Sequence, residues 1–217
     1  MADRSSHLYT LIRTPLKPRK LPVQTRSAAS VEAIIEATIQ VLLCEGKDGL
    51  TTNKVARRAG VSVGTLYQYF PNKSSLLQAA LRNHLDCVYG AVVTSCVRHH
   101  GGQLQVMCDG LITDFLNAKF ERLDMSLTLY RIHDDLEGAA IVQTMCRQST
   151  EAIAAMLRSS SEKLATDADA AASMLFGAMA GASRRTLESE DPYKARLTLE
   201  RELRVMVSAY FEALKVS

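Results

Sequence analysis

Side chains that hydrogen-bond well to nucleic acid are concentrated in one short segment of the chain, residues 63–70. Thr65 and Gln68 suit base edges, because glutamine can bond adenine through two hydrogen bonds and a threonine methyl can contact thymine. Tyr67 and Tyr69 carry hydroxyls that can bond phosphate oxygens, and the Tyr67 ring can also reach a thymine methyl. The alternative for Tyr67 is a ring that packs against the preceding turn. This combination of side chains indicates a surface that contacts double-stranded DNA.

A short helix must precede this segment if the segment is to be presented to a DNA groove. The sequence predicts that helix from a cap at Thr51 or Thr52 to Ala59, with its apolar residues on one side. Gly60 then ends the helix, because glycine adopts the left-handed C-terminal conformation without a steric penalty.

The segment itself is predicted as a second helix over residues 63–70, which begins after an N-cap at Ser62. Pro71 ends it, since proline lacks a backbone donor and restricts the residue before it. Leu66 and Phe70 lie four residues apart on one face and can anchor the helix to a core. The two helices and their turn form a helix-turn-helix, which can place its second helix in a major groove.

Phosphate contacts are expected beside the helix starts, where backbone N–H groups and short polar side chains favour anions. Lys73 adds a positive charge at the start of the next helix. The full predicted DNA-binding set is Thr52, Asn53, Lys54, Ser62, Val63, Gly64, Thr65, Tyr67, Gln68, Tyr69 and Lys73.

This segment resembles the DNA-binding domain of the TetR family of transcriptional regulators. The residues that carry the resemblance are Ala59-Gly60-Val61-Ser62, Gly64-Thr65-Leu66-Tyr67, Tyr69-Phe70 and Asn72-Lys73. The likeness extends back through residues 31–45 and covers roughly a quarter of the chain. It implies a sequence-specific DNA-binding regulator: a homodimeric repressor that binds a palindromic operator and is released by a small-molecule inducer.

The charge distribution agrees with a nucleic-acid partner at one end of the chain. Residues 1–73 contain eleven Lys or Arg and five Asp or Glu, whereas the rest of the 217 residues contains fifteen and eighteen. A basic end on a mildly acidic body is expected where that end meets phosphate. The alternative is a solvated surface that has no partner.

Residues 1–26 are predicted to form a flexible basic arm, because Pro15, Pro18 and Pro22 interrupt any helix. Such an arm can lie along phosphates or enter a minor groove, and it can equally be an inert terminus. The sequence leaves both possibilities open.

The whole chain is predicted to be all-α. A three-helix domain with the helix-turn-helix occupies residues 27–73, and a larger helical ligand-binding and dimerisation domain occupies residues 74–217. A long helix from an Asn72 cap to about His100 links them, with a length of about 40 Å at ~1.5 Å per residue. Further helices are predicted at residues 103–120, 123–133, 136–158, from Asp167 or Asp169, and from Tyr193 to Lys215.

The last two helices are predicted to form a homodimer interface, and the TetR resemblance implies that they meet their symmetry mates in a four-helix bundle. The alternative is that both helices pack into the core of the monomer. The apolar line of the first helix is Ala168, Ala171, Ala172, Leu175, Phe176, Met179 and Ala182, extended by Gly177, Ala178, Ala180 and Gly181. The apolar line of the second is Leu197, Leu203, Met206, Val207, Tyr210, Phe211 and Leu214.

The TetR resemblance also implies that the helical body binds an inducer. An adaptable apolar set with a few polar groups suits a small-molecule site, although each such residue is more often ordinary core. The candidates are Met107, Phe115, Phe120, Met125, Leu129, Tyr130, His133, Met145 and Phe176.

A redox- or metal-responsive regulator is the alternative hypothesis. His84 and Cys87 are three residues apart on one helical face, and so are Cys96 and His99, which is a ligand-compatible spacing. The two pairs lie about 18 Å apart along a continuous helix at ~1.5 Å per residue. They could share one ion only if the helix broke near Gly90.

Other classes of protein find less support in the sequence. There is no GxSxG, HExxH or P-loop motif, so an enzyme is not expected, and no catalytic residue, metal or cofactor is predicted. Five scattered cysteines suggest a reduced, cytoplasmic setting. The sequence contains no run of eighteen apolar residues, so no membrane partner is expected. A helical adaptor that binds only proteins would leave the basic end unexplained.

Overall fold

The computed structural model describes residues 25–130 and 136–216. Within these ranges the protein is all-α, as predicted, apart from one isolated antiparallel bridge between Leu164 and Lys215. The helices are α1 Thr25–Gly49, α2 Thr52–Ala59, α3 Val63–Tyr69, α4 Lys73–Arg98, α5 Leu104–Glu121, α6 Leu123–Tyr130, α7 Leu136–Arg158, α8 Ala168–Leu187 and α9 Pro192–Leu214.

The helices divide into two compact units. The first comprises the described parts of Met1–Asp86 and Thr128–Ile141, and the second comprises those of Cys87–Leu127 and Val142–Ser217. The functional boundary that the sequence places between residues 73 and 74 remains a prediction.

Helix α1 is the platform of the first unit. It packs against α2, which in turn packs against α3. One face of α1 is buried, and it consists of Val31, Ile34, Ile35, Thr38, Val41 and Leu42. The Thr38 hydroxyl donates a hydrogen bond to the Ile34 carbonyl at 2.7 Å, so the polar member of this face is satisfied.

Helix α1 is kinked at Gly46, where φ is 72° and ψ is 179°. Glycine adopts this positive φ because it has no Cβ to collide with the backbone. The start of the helix corrects one boundary of the prediction, because Thr25 and Arg26 belong to α1 rather than to the arm. Residues 1–24 of the predicted arm lie outside the described residues.

The segment Ser27–Gly49 is long and apolar enough to cross a membrane, judged by length and composition alone. It is also the core helix of the first unit, and 44% of its most apolar window is buried inside the protein. A helix that packs into the core of a protein passes the same test of length and composition.

The second unit is built around α5, which packs against both α8 and α9, while α8 packs against α9. Phe115 of α5 and Phe176 of α8 meet edge to face, with ring centroids 6.0 Å apart. Arg204 of α9 lies 2.9 Å from a carboxylate oxygen of Asp109 in α5 and 3.0 Å from one of Glu200. Aromatic packing and ion pairing thus join the same three helices.

The structure corrects the face of α8 that the dimer prediction used. Most of the predicted line faces the inside of the second unit, because its larger apolar side chains fill the space beside α5 and α9. These buried residues are Ala171, Ala172, Leu175, Phe176 and Met179 of α8, with Leu203, Val207 and Phe211 of α9. The exposed face of α8 carries the predicted Gly177 and Gly181 together with Met174, which the prediction did not include.

The loop between α7 and α8 closes the start of α5. A Glu162 carboxylate oxygen accepts a hydrogen bond from the Leu104 backbone N–H at 2.7 Å. The other carboxylate oxygen lies 3.0 Å from the Lys215 ammonium, beside the bridge that pairs Lys215 with Leu164. The side chain of the N-cap residue Gln103 makes no capping bond. Glu162 therefore caps α5 in its place.

Candidate nucleic-acid interface

Helix α2 begins and ends as its residue types predict. The Thr51 hydroxyl accepts a hydrogen bond from the Lys54 backbone N–H at 3.3 Å, which identifies Thr51 as the N-cap. Gly60 has a φ of 68° in the left-handed region, and the Val61 N–H donates to the Ala56 carbonyl at 3.0 Å. The turn after α2 is therefore fixed by backbone bonds.

Helix α3 follows this turn and is anchored by two apolar side chains. The Ser62 hydroxyl accepts a hydrogen bond from the Thr65 backbone N–H at 2.9 Å and caps the helix. Leu66 and Phe70 are 0% and 5% exposed, so the face opposite the solvent is fully packed. The helix ends at Tyr69, one residue before its predicted end, and Phe70 is the C-cap.

The remaining predicted DNA contacts of α3 lie on its open side. Val63, Gly64, Tyr67 and Gln68 are exposed, with Tyr67 at 43%, whereas Thr65 and Tyr69 are half-buried. A Cβ added at Gly64 would meet only the Ser62 hydroxyl oxygen, at 3.8 Å. The backbone of the first turn of α3 is therefore open to close approach by another molecule.

A hydrogen bond across the helix-turn-helix brings two of the predicted contacts together. The Tyr67 hydroxyl lies 3.2 Å from the Thr52 hydroxyl, which ties α3 to the first turn of α2. The Tyr67 ring is still exposed, so this bond fixes the hydroxyl without burying the side chain. Asn53 is exposed on the same first turn, while Thr52 is half-buried.

Two of the three basic residues of α2, Lys54 and Arg58, bond to residues of α1, which the sequence pattern did not predict. The Lys54 ammonium donates to the Gly49 carbonyl at 2.9 Å and pairs with the Glu45 carboxylate. The Arg58 Nε donates to the Gln40 side-chain oxygen at 2.6 Å. The partners Gly49, Glu45 and Gln40 are five, nine and eighteen residues away and lie in the preceding helix, so spacing within one helix does not reveal them.

Lys73 begins α4, and Asn72 caps that helix as predicted. The Asn72 side-chain oxygen accepts from the Ser75 N–H at 2.8 Å, and the Asn72 N–H donates back to the Ser75 hydroxyl at 3.3 Å. This reciprocal pair fixes the first turn and places the half-buried Lys73 directly after the turn that ends α3.

Two protein-family models match most of the chain. The first, described as bacterial regulatory proteins of the tetR family, matches residues 34–80 and so includes α2 and α3. The second, described as a tetracyclin repressor-like C-terminal domain, matches residues 103–211, which is half of the chain. The chain belongs to the TetR family.

Named TetR-family relatives resemble this chain over a short stretch. The transcriptional repressor KstR of Mycolicibacterium smegmatis is 46% identical over 53 residues, which is 24% of this chain and 26% of KstR. The class D tetracycline repressor of Escherichia coli is 44% identical over 48 residues, or 22% of each chain. The match spans about a quarter of the length of these curated relatives.

The likeness in fold extends much further than the likeness in sequence. A crystal structure from Mesorhizobium loti, described as a TetR-family transcriptional regulator, superposes with a TM-score of 0.73 at 20% identity. The match covers 89% of this chain and 100% of that one. At this identity the comparison establishes a shared TetR fold.

The ligand residues predicted for the TetR-like body lie inside the second unit where their side chains are described. Met107, Phe115, Phe120, Met125, Met145 and Phe176 are all buried. The Arg196 guanidinium lies 5.7 Å from the centre of the Phe120 ring, which places one cation beside this apolar set. His133 and the side chains of Leu129 and Tyr130 lie outside the described residues.

The structure does not bring together the two histidine and cysteine pairs of the alternative metal hypothesis. Helix α4 is continuous from Lys73 to Arg98, so no break at Gly90 allows the two pairs to share an ion. The described residues contain no group of three or more His, Cys, Asp or Glu side chains that could hold a metal. Burial raises the pKa of Cys96 to about 12, which keeps its thiol protonated and poorly reactive near neutral pH.

Proposed function

We propose that this TetR-family protein is a transcriptional repressor that binds a palindromic operator as a homodimer and leaves it when a small-molecule inducer binds. Helix α3 carries the DNA-binding part of the proposal. One face is buried through Leu66 and Phe70, and the other face exposes Gly64, Tyr67 and Gln68 to solvent. A short helix that is rigid on one side and polar on the other suits a major groove.

Gln68 and Thr65 are the proposed base-reading residues. Gln68 is exposed, and its amide offers the donor and acceptor pair that matches adenine. Tyr67 and Thr52, whose hydroxyls are 3.2 Å apart, are proposed to bind one phosphate together, because the bond between them holds both oxygens at one place. Phosphate contacts of this kind fix the register in which Gln68 meets a base.

Selection of bound sequences from a random duplex pool at two salt concentrations tests the DNA-binding proposal. Enrichment of a two-fold symmetric sequence is the expected result, with half-sites about 34–36 Å apart. Strong binding without any sequence preference would instead identify a non-specific nucleic-acid protein, with affinity governed by salt alone.

The homodimer is proposed to form through the exposed face of α8 and α9. Met174 is 62% exposed on α8, and a Cβ added at Gly177 or Gly181 would meet nothing within 4 Å beyond the adjoining backbone of its own helix. Helix α9 adds Leu197 and Val205, which are 72% and 62% exposed. Exposed apolar side chains beside open glycines suit close packing of a second helix pair.

A second copy of this chain is the partner that fits the proposal. A two-fold interface uses the same patch on both subunits, and a palindromic operator requires two symmetric heads. Sedimentation velocity over a concentration series checks it. A protein that stays monomeric throughout the micromolar range would contradict the dimeric mode of operator binding.

The inducer is proposed to be an apolar small molecule that binds within the second unit. Methionine side chains adapt to irregular ligands, and Met107, Met125 and Met145 are buried in this unit, as are Phe115 and Phe176. Binding shifts the population of the body toward a conformation that separates the two reading heads. Thermal melting with candidate apolar ligands tests this, since a ligand that releases DNA must also raise the melting temperature.

A further inference from the structure

The Lys54 side chain is held from two sides by the end of α1. Its Nζ donates to the Gly49 carbonyl at 2.9 Å and forms an ion pair with the Glu45 carboxylate. The two partners lie on either side of the Gly46 kink. The kink therefore turns a carboxylate and a carbonyl toward the same ammonium.

The position of the Glu45 side chain is built into this part of the fold. A Cβ added at Gly49 would lie 2.8 Å from the Glu45 Cβ and 3.4 Å from one of its carboxylate oxygens. Only glycine leaves room for Glu45 to fold back over position 49. The contact between Glu45 and Lys54 thus depends on a matched pair of residues in the turn.

We infer that Glu45 competes with DNA phosphate for the Lys54 ammonium and so limits affinity for DNA of every sequence. This inference rests on the proposed DNA-binding function, because Lys54 lies in the first turn of α2 beside Thr52, where phosphate is expected. The pair is open to solvent, with the two side chains 37% and 39% exposed. Such a pair is weak enough for a phosphate to displace the carboxylate.

The competition acts on the sequence-independent part of binding. A lysine that already has a carboxylate partner contributes less net positive charge to the phosphate contact, so fewer counterions are released. Base-reading side chains such as Gln68 are not involved. Glu45 would therefore lower the affinity for specific and non-specific DNA alike and leave the preferred sequence unaltered.

The substitution Glu45→Gln in the full-length protein tests the inference. It removes the charge but keeps the shape, and the Gly49 carbonyl still holds Lys54 in place. We expect the affinity for duplex DNA to rise by about two- to fivefold at 0.15 M salt. The reason is that an exposed ion pair changes an equilibrium constant by less than about tenfold. The plot of log affinity against log salt should become steeper, whereas Lys54→Gln should flatten it.

Two controls separate this pairing from a general charge effect. Glu32→Gln removes the same charge from the same helix, about 20 Å away at ~1.5 Å per residue and so beyond the screening length. It should change affinity much less. In a Lys54→Gln background, Glu45→Gln should have no effect on affinity, since the ammonium for which Glu45 and phosphate compete is gone.

The outcomes are separable. Unchanged or weaker binding by a Glu45→Gln variant that melts like the wild type would overturn the inference and leave Glu45 as a residue that only positions Lys54. Equal tightening by Glu32→Gln, or tightening that persists without Lys54, would overturn it too. Failure of the wild-type protein to bind any duplex at low salt would overturn the proposed function itself.

Discussion

Helices α3 and α8 each present a face that their own unit leaves uncovered, and the two faces differ in chemistry. The open face of α3 carries Gln68 and a tyrosine hydroxyl around Gly64. The open face of α8 carries Met174 around Gly177 and Gly181. Both helices contain glycine with room for a Cβ, which would meet nothing within 4 Å at Gly177 or Gly181 and only the Ser62 hydroxyl, at 3.8 Å, at Gly64.

The comparison indicates that glycine sets how closely a partner can approach, while the neighbouring side chains determine what that partner is. Glycine inside a helix costs about 1 kcal/mol relative to alanine, so an open glycine lowers the stability of the isolated chain. Close contact with another molecule can offset that loss. Hydroxyl and amide groups favour phosphate and base edges beside α3, and apolar groups favour another helix beside α8.

Removing the anchor of α3 should have the largest effect. Leu66 is fully buried, so Leu66→Ala leaves a cavity and should lower the free energy of unfolding by about 2–5 kcal/mol. DNA binding should be lost while the second unit still forms dimers. Chemical denaturation, DNA titration and sedimentation measure the three properties. Normal DNA binding by this variant would mean that α3 does not need its anchor.

Filling the open face of α8 should act on the dimer alone. In Gly181→Leu, two symmetry-related side chains meet at the interface, and overpacking should raise the dimer dissociation constant by about a hundredfold. Each subunit should still fold, because a Cβ built at position 181 has open space within 4 Å. Gly90→Leu, at a helical glycine of α4 with similar open space, is the matched control. A dimer that tolerates Gly181→Leu would place the interface elsewhere.

The same substitution on α3 should act on DNA instead. We expect Gly64→Leu to weaken duplex binding by about tenfold or more, because the added side chain blocks close approach of the first turn. Dimerisation should be unaffected, as sedimentation can verify. If Gly64→Leu and Gly181→Leu altered the same property, the distinction between the two faces would disappear.

Truncating the base-reading side chain should change which sequence is bound. Gln68→Ala should lose discrimination at one base pair of each half-site, a difference of about 1–3 kcal/mol. Repeating the selection from a random duplex pool locates that position. An unaltered preferred sequence and affinity would assign base reading to another residue.

The smallest change is expected at the start of α4. Lys73→Ala should weaken binding to all sequences alike and reduce the slope of log affinity against log salt by about one unit per head. The preferred sequence should stay the same. A variant that altered sequence preference would show that Lys73 contacts a base rather than a phosphate.

Local chemistry explains why the helix-turn-helix could be predicted so closely from the sequence. Thr51, Gly60, Ser62 and Asn72 act at the helix ends where their residue types place them. Capping depends on a side chain and the backbone within three residues of it, so no knowledge of the tertiary fold is needed. The resemblance to the TetR family rested on the same residues, and the family matches confirm it.

Long-range packing explains what the sequence did not reveal. Helix α8 has two apolar or small-residue faces, and only the position of α5 decides that Leu175 and Met179 are interior while Gly181 is exposed. The partner of Lys54 was likewise hidden, because a kink brings Glu45 to it across nine residues. Buried residues such as Phe115 satisfy a core and a ligand site equally well, so their predicted ligand role remains a prediction.

The glutamate that caps α5 gives the second unit a defined response to acid. The bonds from Lys215 and from the Leu104 N–H hold the pKa of Glu162 below its ordinary value of 4.5. A depressed pKa means that the carboxylate stabilises the fold in full above that ordinary value and ceases to do so only as the pH falls through the lower folded value. At mildly acidic pH the Glu162 carboxylate therefore keeps its bonds to the Leu104 N–H and to Lys215. More strongly acidic pH should break these bonds and release the first turn of α5 together with the segment around Lys215.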